Sequence, residues 1–538
     1  AAPEPTEPLA IALRRLPASL DPFTELDPWG QRIVDDLVFE GLTRRAGLTA
    51  PFVEPAIADD CRTGADAAPK HAWCHLRAGL RFHDGSSVDP EDVQDSLAAW
   101  LDPRRDALRM RHGLAELRKV ELVDGPPAAI GATADPGRWV HIELERGDPL
   151  LLERIAAMKV IPKGKRRGNG AAFGKGPIGT GPMKVRQFDA EQLVLERASE
   201  SARPAALEQL RFEAVSDAAM ALVRLRRGEL HVLADLPAAF VPRELAKPGM
   251  AARFTAWTLT PARYDLVMYN LRSGPQAQRK IRGALDLALP RIALATTRDT
   301  MPPTLVRAPV DVTEPVEIDL AALHEAKAAA DWGAFGLPAR PVDTLDAAGI
   351  TEATAALEAL GWRIDRGLRR HGNTTLRIVL MWDGMGGLSS STAEALKRSW
   401  QKLGLQVPQV TASFAYLFGL MRRGEFDVAL ARLSLPSEAD LYPFFHSKGG
   451  LNVPGLADAD LDRELESYRA APDRSARRSA LERIAARLAE LQPVSVLYAP
   501  TEIMLVSRRV LQLELYDDLP RLDSLALAPA ESWPPSSH

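Results

Sequence analysis

The sequence predicts an α/β protein of two or three domains, and three observations carry that expectation. Runs of strand length alternate with helix-patterned segments, most clearly from Leu376 onward, which favours α/β lobes with largely parallel sheets. The chain has 538 residues, too many for one ordinary core. Its 46% hydrophobic and 26% charged residues are typical of a globular protein.

Taken in order, Leu9 to Leu13 reads as a strand and Ser19-Leu20-Asp21-Pro22 as a turn. A helix from about Asp27 to Phe39 turns Ile33, Val34 and Leu37 inward and stops near Gly41. Short strands and turns follow as far as Lys163, among them Ile57 to Cys61 and Trp73 to Leu76. Within them, Gly79 to Leu101 combines a strand end, an Asp84-Gly85 turn and a helix. Asp89 stands at the N-cap, Pro90 at the first helical position, and Glu91 and Asp92 in the first turn. Val93, Leu97, Trp100 and Leu101 form one apolar face.

The basic, glycine-rich Lys163 to Lys175 reads as an exposed loop. Alternation around Met183, Val185 and Leu193 to Leu195 predicts paired strands after the turn Pro177 to Pro182. Val215 to Arg227 predicts a helix, His231 to Leu233 a strand, Tyr264 to Leu271 a strand and Ala277 to Leu289 a helix. Between Pro302 and Pro341 no element is assigned. Further on come a strand at Leu376 to Trp382, a helix at Ala393 to Leu403, and strands at Leu405 to Val410 and Asp427 to Ala431. A long helix from Arg474 to Leu491, broken by Pro493, precedes a strand at Val494 to Tyr498.

A net charge of -4 offers no concentrated basic surface for nucleic acid. No apolar run approaches the ~18 residues of a membrane span, so a soluble protein is expected. The N-terminus lacks the charged and apolar regions of a signal peptide; its small residues would suit the end left after cleavage, though any truncation would look similar. The two cysteines, Cys61 and Cys74, lie on adjacent predicted strands. A disulfide across that hairpin, two free thiols, and a metal site with His71 and His75 are all open, although the spacing matches no standard zinc pattern. No HExxH or GxSxG occurs, and Gly174 to Gly181 lacks the closing Gly-Lys-Ser/Thr of a phosphate loop. His83-Asp84 lies in a turn and is not read as an acid–base pair. No cofactor and no enzymatic activity are expected.

Eight landmarks, in order over about nine-tenths of the chain, resemble the family 5 extracellular solute-binding proteins, the peptide and nickel receptors of bacterial ABC importers. They are Ala18 to Pro22, Phe39-Glu40-Gly41-Leu42, Gly79 to Val93, Pro177 to Pro182, Asn270 with its following helix, Glu352 to Trp362, Met421 to Asp427 and Phe444 to Ser447. The resemblance implies a two-lobed periplasmic-binding-protein fold with an additional small domain inserted in the first lobe. The first lobe would comprise 1–44, 176–262 and 496–538, the extra domain 45–175 and the second lobe 263–495. The crossings near Pro261-Ala262-Arg263 and Pro493 to Pro500 would form the hinge.

By position in the family, the implied ligand contacts are Arg15, Leu16 and Pro17; Tyr264, Met268 and Asn270; Met381, Trp382 and Asp383; and Leu433, Ser434, Pro436, Glu438 and Asp440 in the loop Leu433 to Asp440. Peptide-binding relatives commonly carry an aspartate in that loop for the ligand's α-ammonium. Here Pro436 falls at that position, with Glu438 or Asp440 as possible substitutes. The implied ligand is therefore a peptide or peptide-like molecule, with a blocked or modified peptide or a peptidic metal chelator as the alternative. A ligand sensor outside transport is a further reading. The implied setting is the periplasm, as a monomer that delivers ligand to the membrane permease of an ABC importer.

Overall fold

The computed structural model describes residues 7–45, 49–132, 135–237, 240, 244–259, 263–296, 316–325, 344–384, 390–435, 440–498, 502–516 and 519–530. Two α/β bodies and a smaller antiparallel sheet make up the molecule. In the first body, Leu9–Leu13 lies between Gln209–Ala214 and Val232–Leu233, parallel to both. The sheet extends through antiparallel neighbours to eight strands, with Glu502–Ser507 and Phe254–Leu259 on one side and Gln192–Arg197 and Met183–Phe188 on the other. In the second body, Leu380–Asp383 lies parallel to Gln409–Ala412 and Val428–Ser434. Arg263–Tyr269 and Val494–Tyr498 complete that sheet antiparallel.

The sheets are therefore mixed, which corrects the expectation of largely parallel ones. Hairpins and the strands that carry the chain between bodies run against the crossover strands, and the sequence period is the same for both. Residues 316–325, within the stretch expected for the second lobe, add an edge strand and a helix to the first sheet. The strand expected at Leu405 to Val410 begins later, at Gln409. Leu405 and Val407 are buried, and the segment runs beside residues 376–380, with an Arg377–Gln406 bridge and a Leu380 N–H bond to the Pro408 carbonyl at 2.9 Å.

The inserted sheet, in the order Ala58–Thr63, His71–Leu76, Trp139–Leu144 and Leu117–Val123, is wholly antiparallel. Cys61 and Cys74 are register partners on its first hairpin and are joined by a disulfide. Ala72, Cys74, Leu76, Val140, Ile142 and Leu144 turn inward and join one apolar core with Leu9, Ile11 and Leu37 of the first body. The second body buries its own core, in which Trp400 donates to the Leu285 carbonyl at 3.0 Å.

The helix Pro90–Ala98 forms as its sequence dictates. Asp92 accepts from the Asp89 N–H at 2.9 Å, and Val93, Leu97 and Trp100 are buried. The turn before it anchors the inserted sheet to the first body. His83 accepts from the Gly179 N–H at 3.3 Å through Nδ1 and donates through Nε2 to the Gly181 carbonyl at 2.9 Å. Burial pushes the His83 pKa down, so the neutral ring fits both bonds. A Cβ on Gly179 would lie 1.9 Å from the Val38 carbonyl oxygen, and one on Gly181 2.3 Å from that of Leu37, so both positions need glycine.

Candidate functional site: the strand edges at the crossings

The register of the two sheets fixes which strand ends lie together. In the first sheet, Leu13, Ala214 and Leu233 end at one edge. Leu259 and Glu502, paired with each other, stand at the same edge. In the second sheet, Arg263 pairs with Ser434 and Asp265 with Tyr498, while Asp383 and Ala412 end parallel strands running the same way. Both crossings between bodies therefore leave and arrive at carboxyl-end edges. In open α/β sheets that edge is where loops diverge and leave a crevice.

The first edge carries Arg14, paired with Asp235 at 3.0 Å, and exposed Arg15. Leu16 packs against the core and Pro17 is buried, so this turn offers the Arg15 side chain rather than its apolar neighbours. On the second edge, Arg432 grips Asp265 through two hydrogen bonds of 2.6 and 3.0 Å. Asp265 is buried, whereas Arg432 remains partly open to solvent. Trp382 is half-buried against the second core, and among the described residues its indole Nε1 is buried with no hydrogen-bond partner. Such a donor is costly to leave unpaired and would be satisfied by a ligand oxygen or by water. Asp383 follows it, half-buried.

Other expected contacts fall elsewhere. Asn270 lies beyond Tyr269, at the opposite end of its strand from the crossing, and is fully buried. Its amide donates to the Gly424 and Phe426 carbonyls at 2.9 and 2.7 Å, and its Oδ1 accepts from the Arg272 N–H, so it pins a turn. Tyr264 and Leu433, register partners, are buried in one apolar cluster, and Met381 is buried in another; Met268 packs between the two. Ser434 ends the central strand Val428–Ser434, and Pro436 and Glu438 lie outside the described residues.

Asp440 is committed to other partners. Its carboxylate is buried and accepts from Arg154 of the inserted segment and from Arg469, the latter at 2.8 and 3.2 Å. Burial alone would raise its pKa, but the two guanidiniums outweigh that and hold it at about 2. Asp148 also pairs with Arg154, at 3.3 Å. Alongside, Arg477 donates to Glu153 at 2.6 and 2.9 Å and lies 3.7 Å from the centre of the Phe52 ring. These contacts join the inserted segment to the second body. Nothing in the sequence pattern links residues 148–154 to residues 440–477; only the folded register of distant segments does.

Residues 53–452 match the family model described as "Bacterial extracellular solute-binding proteins, family 5 Middle". The chain belongs to this family. As one of its members it is a solute-binding protein of the two-lobed α/β fold, a class of binding proteins rather than of enzymes. It is 22% identical over 473 residues to the oligopeptide-binding protein AppA of Bacillus subtilis, covering 85% of this chain and 79% of that one. Among solved structures, NikA from Brucella suis in complex with Fe(III)-EDTA superposes with a TM-score of 0.62 at 19% identity, covering 97% and 100% of the two chains. DppA from Helicobacter pylori in complex with the peptide STSA gives 0.60 at 14% identity, covering 97% and 98%. These likenesses establish the fold of this solute-binding protein. No described helix is long and apolar enough to cross a membrane.

Proposed function

We propose that this solute-binding protein is the periplasmic receptor of an ABC importer and captures a peptide or peptide-like ligand between its two bodies. The observation that carries the reading is the Trp382 Nε1, a buried unpartnered donor on the strand edge beside the crossings. The two strand edges carry both charge signs: Arg15 and Arg432 as cations, Asp235, Asp265 and Asp383 as anions. Mixed charge with an amide-seeking donor suits a polar, zwitterionic chain. Ligand would favour the closed arrangement by binding it more tightly than the open one. The peptide named with DppA and the oligopeptide named for AppA support this class of ligand.

A second reading follows from Asp440. With its carboxylate spent on Arg154 and Arg469, that residue is poorly placed to meet a free α-ammonium. This favours a ligand with a blocked or modified terminus, including a peptidic metal chelator.

Thermal-shift screening of free-amine, N-acetylated and chelator-type peptides separates the readings. A rise in melting temperature with at least one of these classes is expected. No rise with any class would overturn ligand capture of this kind, and a rise confined to free-amine peptides would overturn the second reading.

A further inference from the structure

The outer face of the inserted sheet carries a trio of near-parallel rings, well removed in the fold from the crossing edges. Trp73 and His141 are register partners on adjacent strands, their ring centres 5.1 Å apart and tilted by 12°. His71, two residues before Trp73 and therefore on the same face, lies 5.6 Å from Trp73 and 5.2 Å from His141. All three are half-buried. His71 Nδ1 and His141 Nε2 are hydrogen-bonded at 3.1 Å.

The tautomer of His141 is set from behind. Glu121, its register partner on the next strand, accepts from His141 Nδ1 at 3.1 Å and is itself held by Lys119 at 2.8 Å. With the proton on Nδ1, His141 Nε2 accepts the hydrogen bond from His71 Nδ1–H, and a metal ion bound by both nitrogens would displace that proton, leaving His71 protonated on Nε2. A carboxylate behind a histidine in this way fixes the orientation of the ring, as it does behind metal-bound histidines. Two imidazole nitrogens at about 2.0–2.1 Å from one metal ion stand about 2.8–3.0 Å apart as neighbours in square geometry and about 3.3–3.4 Å apart in tetrahedral geometry. The observed separation lies between those two values, and both rings would turn so that their lone pairs converge on one point beside the N–N line. The Cys61–Cys74 disulfide closes the hairpin whose second strand carries His71 and Trp73.

We propose that His71 and His141 form a surface site for a late divalent transition-metal ion, with Cu2+ the best fit. Two imidazoles supply the protein donors, and water completes the coordination. No group of three or more His, Cys, Asp or Glu among the described residues is arranged to hold a metal, so the site is a two-donor one of modest, micromolar-class affinity. Imidazole donors suit copper, nickel and zinc, and copper leads the divalent series in affinity. The site is independent of the ligand held between the bodies.

The test is titration of the full, metal-stripped chain with Cu2+, read by calorimetry and by electron paramagnetic resonance. One equivalent is expected at micromolar affinity, with superhyperfine splitting from two imidazole nitrogens. His71→Ala and His141→Gln should each weaken this binding by about tenfold or more, and Glu121→Gln by a smaller factor. His75→Ala should leave it unchanged, because that ring faces Asp59 and Trp139 instead. Circular dichroism and melting temperature check that each variant folds. A wild-type spectrum without two nitrogen donors, or unchanged affinity in the folded His71 and His141 variants, overturns the proposal. If either variant fails to fold, the wild-type spectrum decides.

Discussion

Arg154 and Asp440, 286 residues apart in sequence, meet as a buried ion pair that joins the inserted segment to the second body. Both side chains are at most 3% exposed. Removing one member of such a pair leaves a buried charge short of its partner, whereas removing both leaves Asp148 and Arg469, 4.0 Å apart, to balance each other. Arg154→Ala is expected to destabilise the protein by about 3 kcal/mol, and Arg154→Met with Asp440→Asn to recover a large part of that loss. Urea denaturation of the two variants beside the wild type checks the pair. Equal losses in single and double variants would contradict it.

His231 predicts a pH dependence of stability. It is buried, accepts from the Ala10 N–H at 3.0 Å, and has its pKa pushed down to about 4, chiefly by desolvation. A histidine with a lowered folded pKa contributes stability that is complete above its unfolded value of about 6.5 and is lost as pH falls toward about 4. The stability difference between wild type and His231→Gln should therefore shrink by about 2–3 kcal/mol between pH 7 and pH 4. Asp36, raised to about 6 by burial, acts with the opposite sign between about pH 4 and pH 6. The paired comparison cancels that contribution. A difference that does not change with pH would remove the assignment.

The disulfide closes a hairpin of sequence separation 13. In the chain-entropy model, Cys61→Ala with Cys74→Ala should cost about 3 kcal/mol. The same loss is expected on reduction of the wild type with dithiothreitol. Insensitivity of the melting temperature to reduction would contradict a stabilising role.

Trp382→Phe isolates the indole N–H. Phenylalanine keeps most of the packing against the second core but removes the unpartnered Nε1. If that nitrogen donates to a bound ligand, affinity should fall about threefold to tenfold, with the melting temperature of the ligand-free protein nearly unchanged. Unchanged affinity would return Trp382 to a purely structural role.

Much of this architecture is legible in the sequence where local rules agree. The strand Leu9–Leu13, the helix Arg474–Leu491 with its Asp473 cap, and the strand Val494–Tyr498 appear at their expected bounds. Each has an unbroken apolar pattern and a clear stop. The mixed sheets were not legible, because strand direction is set by connections between distant segments. The same holds for Asp440: its loop is readable from family position, but not that Arg154 and Arg469 take up its carboxylate. Asn270 illustrates the reverse. Family position makes it an expected contact, yet its buried amide donates to the Gly424 and Phe426 carbonyls. The outward set His71, Trp73 and His75 is visible as alternation, but its meeting with His141 is not, since register across the sheet is a tertiary fact.

The central claim is ligand capture between the two bodies. Native mass spectrometry of the protein purified from its own host, before and after mild denaturation, tests it most directly. The account predicts a bound peptide-like molecule at one per chain, released on unfolding and depleted in Trp382→Ala. Protein of bare chain mass from its host that also shows no melting shift with any peptide class would contradict it.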